Sequence, residues 1–298
     1  MTKSGCGRCV VVVRHGERQD YVTRDAGGNW IASAKRPWDP PLTEHGKVQA
    51  TTVGKNLRTM LEKINMPPTV SAVYSSPLLR CRQTAAAISI HASTNLESPA
   101  KIRAEEGLVE SLNQGFYRSW ALPTSDGTWD HLRRENPLDK LIQEPEKLHP
   151  ASKQPIQHLI NWKDAENDEA LLSMMDDAHV SKTKLKMEYQ FCPPELESFK
   201  TQRARMHEAA EELSKAHVDE TIVMVSHGGP VTHLYESLTD NDWLGHGHPT
   251  YCCVSIYNKS DGSDKWEPLI VNQPVSQEMT QANDAAANKD PNKAFAWT

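Results

Sequence analysis

Short apolar runs alternate with helical patterns along this chain, and this alternation restricts the possible folds more than any other feature of the sequence. The first run, Cys9 to Val13, is continuously apolar and is bounded by turn-forming residues, which is typical of a strand buried on both faces. Buried strands that alternate with helices predict an α/β fold with a mostly parallel central sheet. We therefore expect a three-layer sandwich in which helices flank the sheet on both sides.

The later segments continue this alternation. A helix is expected to begin after Thr43, its N-cap, because apolar positions from Val53 to Ile64 repeat with the spacing of one helical face. Further helices are predicted over Leu78 to Ala92, around Phe199 to His217 and over Val231 to Leu238. The predicted strands are Val70 to Tyr74, Lys101 to Ala104, Thr221 to Ser226, Tyr251 to Tyr257 and Trp266 to Val271.

Two segments differ from the rest in composition. Residues 114–194 are polar, rich in Trp, Pro, Lys and Glu, and poor in strand signals, so we expect a largely helical or irregular insertion that caps an active site at one end of the sheet. Residues 274–298 are rich in Gln, Asn, Ala and Asp, which predicts a disordered tail. The rest of the chain, 1–273, is expected to form one domain around the sheet.

Charge and hydropathy exclude several classes of protein. The chain has 298 residues with 33 basic and 39 acidic side chains, mixed along its length, so we expect no nucleic-acid partner. No apolar run approaches the roughly 18 residues that a membrane-spanning helix requires. Six cysteines without a signal-peptide pattern predict free thiols in a reducing compartment, and hence a cytoplasmic protein. The sequence leaves open whether the protein forms a homodimer.

Two groups of residues resemble metal ligands, but their spacing favours a structural role. Cys6 and Cys9 form a single CxxC pair, without the second pair that a zinc ribbon requires. The stretch from His246 to His248 is followed by the pair Cys252-Cys253, yet these thiols are expected on one strand, where adjacent side chains point to opposite faces. We therefore expect no metal ion and no other cofactor.

Histidine, arginine and glycine recur at three junctions between a predicted strand and the turn or helix that follows it. The first strand ends in Arg14-His15-Gly16, a late strand ends in Ser226-His227-Gly228, and Arg80 begins the helix after the second strand. The carboxyl ends of parallel strands meet at one edge of a sheet, where α/β folds bind ligands. Guanidinium groups form paired, charge-assisted hydrogen bonds to phosphate oxygens. The sequence therefore predicts a phosphate site.

Each of these features has an ordinary structural explanation when it is taken alone. A histidine and a glycine at a strand end more often form a turn than a catalytic centre, and Arg80 by itself would be a solvated helix residue. Their recurrence within one α/β pattern is what favours a functional site.

Four motifs together resemble the histidine phosphatase superfamily, which is also called the phosphoglycerate mutase-like family. They are Arg14 to Glu17, Pro41 to Gly46, Ser75 to Ala85 and Val225 to Gly228. Arg18, directly after Arg-His-Gly-Glu, is similar to the branch that holds ecdysteroid-phosphate phosphatase and the phosphatase domain of the suppressors of T-cell receptor signalling. Arg18, Gln19 and Asp20 depart from the pattern of the cofactor-dependent mutases.

The resemblance implies a metal-independent phosphatase that hydrolyses phosphomonoesters through a phosphohistidine intermediate. His15 would be the nucleophile that attacks phosphorus. Arg14, Arg18, Arg80 and His227 would bind the phosphate and stabilise the charge on its oxygens during transfer, and His227 would thereby share in catalysis.

The departing oxygen also needs a proton donor, because an alkoxide leaves poorly. The family places an acid after the third strand, and Glu110 stands at the matching position. Glu105 and Glu106 lie close by and stay open as alternatives.

The expected substrate is a phosphorylated small molecule or a phosphoprotein, selected by the insertion and by the loop from Arg18 to Pro41. The aromatic residues of these segments either line a substrate cavity or pack against one another; they are Trp30, Trp38, Phe116, Tyr117, Trp120 and Trp129. Two other functions stay open. One is a phosphoglycerate-type mutase, which transfers the phosphoryl group to a bound acceptor, and the other is an inactive phospholigand-binding adaptor.

Overall fold

A six-stranded sheet lies at the centre of the fold. The computed structural model describes residues 7–95, 97–112, 114–122, 125, 127, 143–185 and 197–275. The strands are β1 (Arg8–Arg14), β2 (Val70–Ser75), β3 (Ile102–Ala104), β4 (Glu220–Ser226), β5 (Val254–Lys259) and β6 (Glu267–Gln273). Their order is β3-β2-β4-β1-β5-β6, with β1 to β4 parallel to one another and β5 antiparallel to both of its neighbours.

Helices cover both faces of this sheet. In the described part of the chain they are α1 (Gln19–Asp25), α2 (Glu44–Lys63), α3 (Leu79–Ala92), α4 (Gln114–Ala121), α5 (Ile156–Leu159), α6 (Glu169–Met174), α7 (Phe199–Ser214) and α8 (Gly228–Thr239). Helices α2 and α3 pack on one face, and α7 and α8 pack on the other. The predicted three-layer α/β sandwich is therefore confirmed. None of the helices in the described ranges combines the length and the apolar character needed to cross a membrane.

The apolar run in β1 is continuous because this strand is buried on both faces. Val11 and Val13 join the core against α2 and α3, whereas Val10 and Val12 join the core against α7 and α8. Successive residues of a strand point to opposite faces, so a sheet covered on both sides needs an apolar residue at every position.

Two helices differ from the prediction. The segment after Arg18, predicted as a loop, contains α1, with Asp20 in its first turn and Arg24 in its last, an arrangement that complements the helix dipole. Helix α8 begins at Gly228 instead of Val231, because His227 at the end of β4 leads directly into the helix as its N-cap.

Strand β5 begins at Val254 and not at Tyr251. The preceding Cys252 has a positive φ of 53°, and its N–H donates to the carbonyl oxygen of Arg14 at 3.1 Å. This turn ties the start of β5 to the end of β1. The pair Cys252-Cys253 therefore precedes the strand, contrary to the prediction.

The described parts of the segment 114–194 contain α4, α5 and α6. Helix α6 packs into the core against the sheet through Leu171, whereas α4 and α5 form a hydrophobic core with residues outside the segment, such as Leu78 and Val109. Phe116, Tyr117 and Trp120 are buried in this core, together with Trp38. Trp129 and the predicted tail from residue 276 lie outside the described residues. The domain boundaries stay a prediction.

We expect Leu57→Ala to lower the free energy of unfolding by about 2–5 kcal/mol, because the truncation leaves a cavity in a packed core. Leu57 on α2 is 0% exposed and belongs to the core against the sheet. Val48→Ala, on the same helix but at a position that is 59% exposed, should change that free energy by less than about 0.5 kcal/mol. Urea unfolding followed by circular dichroism measures both. Equal losses would contradict this account of the core.

Candidate active site

The register between β1 and β4 brings the two predicted catalytic histidines together. Arg14 pairs with Ser226 across these parallel strands, so the next residues, His15 and His227, leave the sheet side by side. Their ring centroids are 5.2 Å apart and both side chains are buried. Arg80, in the first turn of α3, reaches the same point, with its Nη2 3.1 Å from Nδ1 of His227. Three predicted site residues thus meet at one end of the sheet.

The hydrogen bonds of His15 identify the nitrogen that is available for chemistry. Its Nδ1 lies 2.8 Å from the carbonyl oxygen of Gly16, which can only accept, so Nδ1 carries the proton and Nε2 keeps its lone pair. Burial lowers the pKa of His15 well below its usual 6.5, and the charges of Arg80 and Arg14 lower it further. The imidazole is therefore neutral at pH 7, with a nucleophilic Nε2.

His227 is held at both of its ring nitrogens. Arg80 donates to Nδ1, so the proton is on Nε2, which donates to Oγ of Ser76 at 2.8 Å. Burial lowers the pKa of His227, and Arg80 lowers it further. The Sγ of Cys81 lies 3.4 Å from Nε2, and burial raises the pKa of this thiol, which keeps it neutral. The sequence analysis missed Ser76 and Cys81 as partners, although both lie within a motif that it identified.

Two arginines of the site have guanidinium nitrogens that lack an acceptor. Within the described residues, the Nε atoms of Arg14 and Arg80 are buried and have no hydrogen-bond partner. Arg14 otherwise donates to the carbonyl oxygen of Pro249 at 2.5 Å and lies over the ring of Tyr251, with its Cζ 4.4 Å from the ring centroid. A buried donor without an acceptor is costly, so an oxyanion would complete this part of the site.

Arg18 lies at the same cavity but differs from the other two arginines because its charge is compensated. Its Nε and Nη2 donate to the two carboxylate oxygens of Asp20 at 2.7 and 2.6 Å, and its Cζ lies 4.2 Å from the centroid of the Tyr21 ring. Burial by itself would lower the pKa of Arg18, but the Asp20 carboxylate raises it above the usual arginine value. The pair is therefore ionised. The sequence analysis named Asp20 only as a departure from the mutase pattern and did not predict this contact.

Glu110 is the acid that the structure brings to the histidines. Its Oε2 lies 3.4 Å from Nδ1 of His227 and 3.6 Å from Nη2 of Arg80. Its Oε1 accepts a hydrogen bond from the backbone N–H of Ser111 at 2.9 Å.

Glu105 and Glu106, the other two candidates, hold the chain that follows α6 instead. The Glu105 carboxylate contacts Nε2 of His179 at 2.7 Å and accepts from the backbone N–H and the hydroxyl of Thr183 at 3.1 and 2.7 Å. Glu106 accepts from the backbone N–H of Leu185 at 3.1 Å. Neither carboxylate therefore competes with Glu110 at this site.

The Glu110 carboxylate lies between the open cavity and two deeply buried side chains, those of Arg80 and His227. Arg14, His15, Arg18 and Glu110 line a cavity of about 360 Å³, whereas Arg80 and His227 are completely buried and do not line it. We call Arg80 and His227 the inner anion site. The carboxylate of Glu110 contacts both of its members, so an oxyanion that binds there must displace this carboxylate.

The outer part of the cavity is built by α1, α7, α8 and the chain that follows α8. Its walls include Tyr21, Phe199, Arg203, Trp243, Leu244 and His248. Among the described residues between 114 and 185, none lines this cavity. The hypothesis that Phe116, Tyr117, Trp120 and Trp38 form the substrate cavity is therefore wrong for these residues, because they pack into the core that α4 and α5 help to form; Trp30 lines a separate surface cavity.

The residues that resemble metal ligands in the sequence do not converge. His246 contacts the hydroxyl of Tyr235 at 3.0 Å, His248 stacks on Trp243, and the pair Cys252-Cys253 is buried. Cys9 is buried in β1, and Cys6 lies outside the described residues.

One group in the described part of the chain has the spacing of metal ligands, and it is the site itself. The ligand atoms of His15, Glu110 and His227 lie within 4.8 Å of one another. Arg80 and Arg14 stand beside them with positive charges that repel a cation. The donor set therefore fits an anion better than a metal ion.

The family of this chain follows from a comparison with family models. The model described as "Histidine phosphatase superfamily (branch 1)" matches residues 10–115 and 160–271. The chain therefore belongs to the histidine phosphatase superfamily, as its motifs predict. The matched ranges include every predicted site residue and leave out residues 116–159 of the predicted insertion.

Two curated relatives match a shorter stretch of the chain. Ubiquitin-associated and SH3 domain-containing protein A of Mus musculus is 35% identical over 129 residues, which cover 35% of this chain and 19% of the relative. Ubiquitin-associated and SH3 domain-containing protein B of Homo sapiens is 36% identical over 126 residues, which cover 35% of this chain and 18% of the relative. The match thus spans less than a fifth of either relative.

Solved structures share the fold over nearly the whole chain. YhfR of Bacillus stearothermophilus has a TM-score of 0.52 at 20% identity and covers 90% of this chain and 99% of its own. A mycobacterial glucosyl-3-phosphoglycerate phosphatase has a TM-score of 0.51 at 18% identity, covering 89% and 99%. A phosphoglycerate mutase from Bacillus anthracis has a TM-score of 0.51 at 17% identity, covering 95% and 98%. These likenesses establish the fold.

We expect Glu110→Gln to bind inorganic phosphate at least about tenfold more tightly than the wild type at pH 7, because the variant removes a negative charge from the inner anion site. Isothermal titration calorimetry measures the dissociation constants. The matched control is Glu106→Gln, which removes a carboxylate that bonds to the backbone of Leu185 and should leave phosphate affinity unchanged. Unchanged affinity in Glu110→Gln would contradict the competition between carboxylate and phosphate.

Proposed function

We propose that this protein is a metal-independent phosphatase that hydrolyses phosphomonoesters through a phosphohistidine on His15. The observation that carries the proposal is the state of His15. Its ring is neutral, its Nδ1–H donates to the carbonyl oxygen of Gly16, its Nε2 keeps a lone pair, and the residue lines the cavity. Membership in the histidine phosphatase superfamily supports the same chemistry.

In the first step, Nε2 of His15 attacks phosphorus while the ester P–O bond breaks. The ring then carries a positive charge, and the Nδ1 hydrogen bond to Gly16 stabilises that charge. As the phosphoryl group enters, it displaces the Glu110 carboxylate from the inner anion site. The displaced carboxylate takes up a proton from solvent and gives that proton to the departing oxygen. The product alcohol leaves, and Glu110 is then a carboxylate.

In the second step, a water molecule attacks the phosphorus of phosphohistidine. Glu110 takes a proton from this water, and the electron pair of the P–N bond returns to Nε2 of His15. Inorganic phosphate is released, His15 is again a neutral ring, and Glu110 gives the proton to solvent as its carboxylate returns to the inner anion site. Glu110 is therefore the general acid in the first step and the general base in the second, whereas His15 is first the nucleophile and then the leaving group.

The inner anion site and the two arginines at the cavity stabilise the charge on the phosphoryl oxygens in both steps. Arg14 and Arg80 each have a buried Nε without an acceptor in the described residues, and these donors meet the developing charge. The negative charge of a bound phosphoryl group favours the protonated ring of His227, whose Nδ1–H then donates to that group while Nε2–H stays on Ser76. Arg18, fixed by Asp20, adds a positive charge at the cavity wall.

The outer cavity favours a leaving group without a second anionic group. Arg203 donates to the carboxylate of Glu236 at 2.6 Å, so its charge is compensated within the wall. His233 lies 2.9 Å from the same carboxylate, and burial lowers its pKa. Phe199 and Trp243 supply apolar surface beside them. We therefore propose phosphorylated small molecules or phosphoproteins in which an apolar or aromatic group carries the phosphate.

A labelled phosphomonoester should leave labelled phosphate on His15 when turnover is quenched in alkaline denaturant, since phosphohistidine is stable to base and labile to acid. The reaction is run with a strong chelator, so that labelling also tests independence from a metal. Peptide mapping locates the label. His15→Ala should lose both label and turnover, and His227→Ala should lose turnover without becoming a labelled site.

A label on another residue, or near wild-type turnover in His15→Ala, would refute the assignment of the nucleophile. Loss of turnover in chelator, restored by one divalent ion, would refute metal independence. Release of the label to a bound alcohol in place of water would indicate a mutase.

Glu110→Gln should lose at least about 100-fold in kcat/KM toward an alkyl phosphate, because this ratio reports formation of the phosphoenzyme and general acid catalysis contributes about 10²–10⁴-fold. The same variant should lose far less toward p-nitrophenyl phosphate, whose phenolate leaves without a proton. Steady-state kinetics on both substrates measures the two losses. Equal losses would show that Glu110 is not the proton donor.

A further inference from the structure

We propose that the buried ion pair of Glu197 and Arg205, together with Gln202, positions Glu110 for proton transfer. These three side chains come from α7 and the residue pair before it, and all three contact the 107–112 segment. The inference rests on the proposed function, in which Glu110 is the acid. It assigns a positioning role to residues that do not touch the reacting atoms.

The 107–112 segment needs support because it has little regular structure of its own. A single short 3₁₀ turn, Glu106–Leu108, precedes Glu110, and no strand ladder holds the residues from Val109 to Leu112. A general acid must be held within about 0.5 Å of its productive position. The contacts of this segment with its neighbours therefore decide where the Glu110 carboxyl group lies.

Arg205 holds the segment before Glu110. Its Nη1 donates to the carbonyl oxygens of Gly107 and Val109 at 2.7 and 3.1 Å. Its Nε and Nη2 donate to the two carboxylate oxygens of Glu197, both at 2.7 Å. The Arg205 and Glu197 side chains are 9% and 1% exposed, so the pair is shielded from water. One guanidinium thus joins two backbone carbonyls to a fixed carboxylate.

Glu197 holds the segment after Glu110. Its backbone N–H donates to the carbonyl oxygen of Leu112 at 2.6 Å, and its Oε2 accepts from the N–H of Leu112 at 3.2 Å. The ion pair therefore forms hydrogen bonds to the chain on both sides of Glu110. A rotation of this short segment would break bonds at both ends.

Gln202 holds the residue next to Glu110. Its Nε2 donates to Oγ of Ser111 at 2.8 Å, and Gln202 is only 1% exposed. The N–H of Ser111 in turn donates to Oε1 of Glu110 at 2.9 Å. Gly229 closes the other side of Ser111, since a Cβ there would lie 2.3 Å from the Ser111 hydroxyl oxygen. The carboxylate is thus linked to α7 through one backbone amide.

The spacing on α7 explains how one helix makes these contacts. Gln202 and Arg205 are three residues apart and so lie on the same face of the helix. Ser198 is the N-cap, with its side chain accepting from the N–H of Thr201, which fixes the start of the helix directly after Glu197.

The test compares the alkyl phosphate with p-nitrophenyl phosphate in Gln202→Ala and Arg205→Lys. We expect each variant to lose at least about tenfold in kcat/KM on the alkyl phosphate and less than about threefold on p-nitrophenyl phosphate, since only the former needs the proton when the phosphoenzyme forms. Lysine retains the charge for Glu197 but lacks the fork that reaches two carbonyl oxygens as well. If Arg205→Lys does not fold, Gln202→Ala decides the test.

The matched control is Arg8→Lys. Arg8 pairs with Glu211 at the other end of α7, with Nη2 3.0 Å from Oε2, and this pair does not contact the 107–112 segment. It should leave the ratio of the two rates at the wild-type value, even where it lowers thermal stability. A changed ratio in Arg8→Lys would overturn the inference, because general destabilisation would then explain the effect.

Failure of the proposal differs from failure of the proposed function. Equal changes on the two substrates in Gln202→Ala and Arg205→Lys, alongside unequal losses in Glu110→Gln, overturn the positioning role alone. A wild-type protein without phosphatase activity, or a Glu110→Gln variant with equal losses, overturns the proposed function and the positioning role with it.

Discussion

Burial of positive charge at the carboxyl end of the sheet is the constraint on which the site depends. Arg80 is 0% exposed, and a buried guanidinium is costly unless its neighbours supply acceptors. Its neighbours here are Nδ1 of His227, the carbonyl oxygen of Trp38 and the carboxylate of Glu110. Its Nε has no acceptor within the described residues. The fold thus holds a cation that an oxyanion would satisfy better than the protein does.

Burial and the same charge together set the protonation state of the two histidines. Burial disfavours imidazolium, and Arg80 reinforces that effect at both His15 and His227. Two neutral rings can therefore stand 5.2 Å apart without repulsion, and His15 keeps a lone pair at neutral pH. The Glu110 carboxylate compensates part of this positive charge through its contact with Arg80. Burial and this cationic cluster thus account for the neutral nucleophile, and the cluster also accounts for the position of the acid.

Particular residues illustrate how far the sequence alone could be interpreted. The apolar run of β1 predicted a strand buried on both faces, and the structure has Val10 and Val11 in opposite cores. The aromatic residues of the insertion were predicted with equal weight as cavity or packing, and Trp120 packs. Composition identifies an aromatic side chain without indicating which side of a segment faces a ligand. The cavity wall instead uses Phe199 and Trp243, which no sequence pattern marked.

The sequence by itself determined the α/β sandwich, the family, and the strand-end positions of His15 and His227, because these follow from local periodicity and from motifs a few residues long. Only the tertiary structure decided which of three neighbouring acids, Glu105, Glu106 or Glu110, lies beside the histidines. It also decided that Arg205 forms hydrogen bonds to the segment that contains Glu110. Those contacts join residues that are 96 to 117 positions apart in the chain. They depend on how whole helices pack against the sheet, and no local pattern encodes that packing.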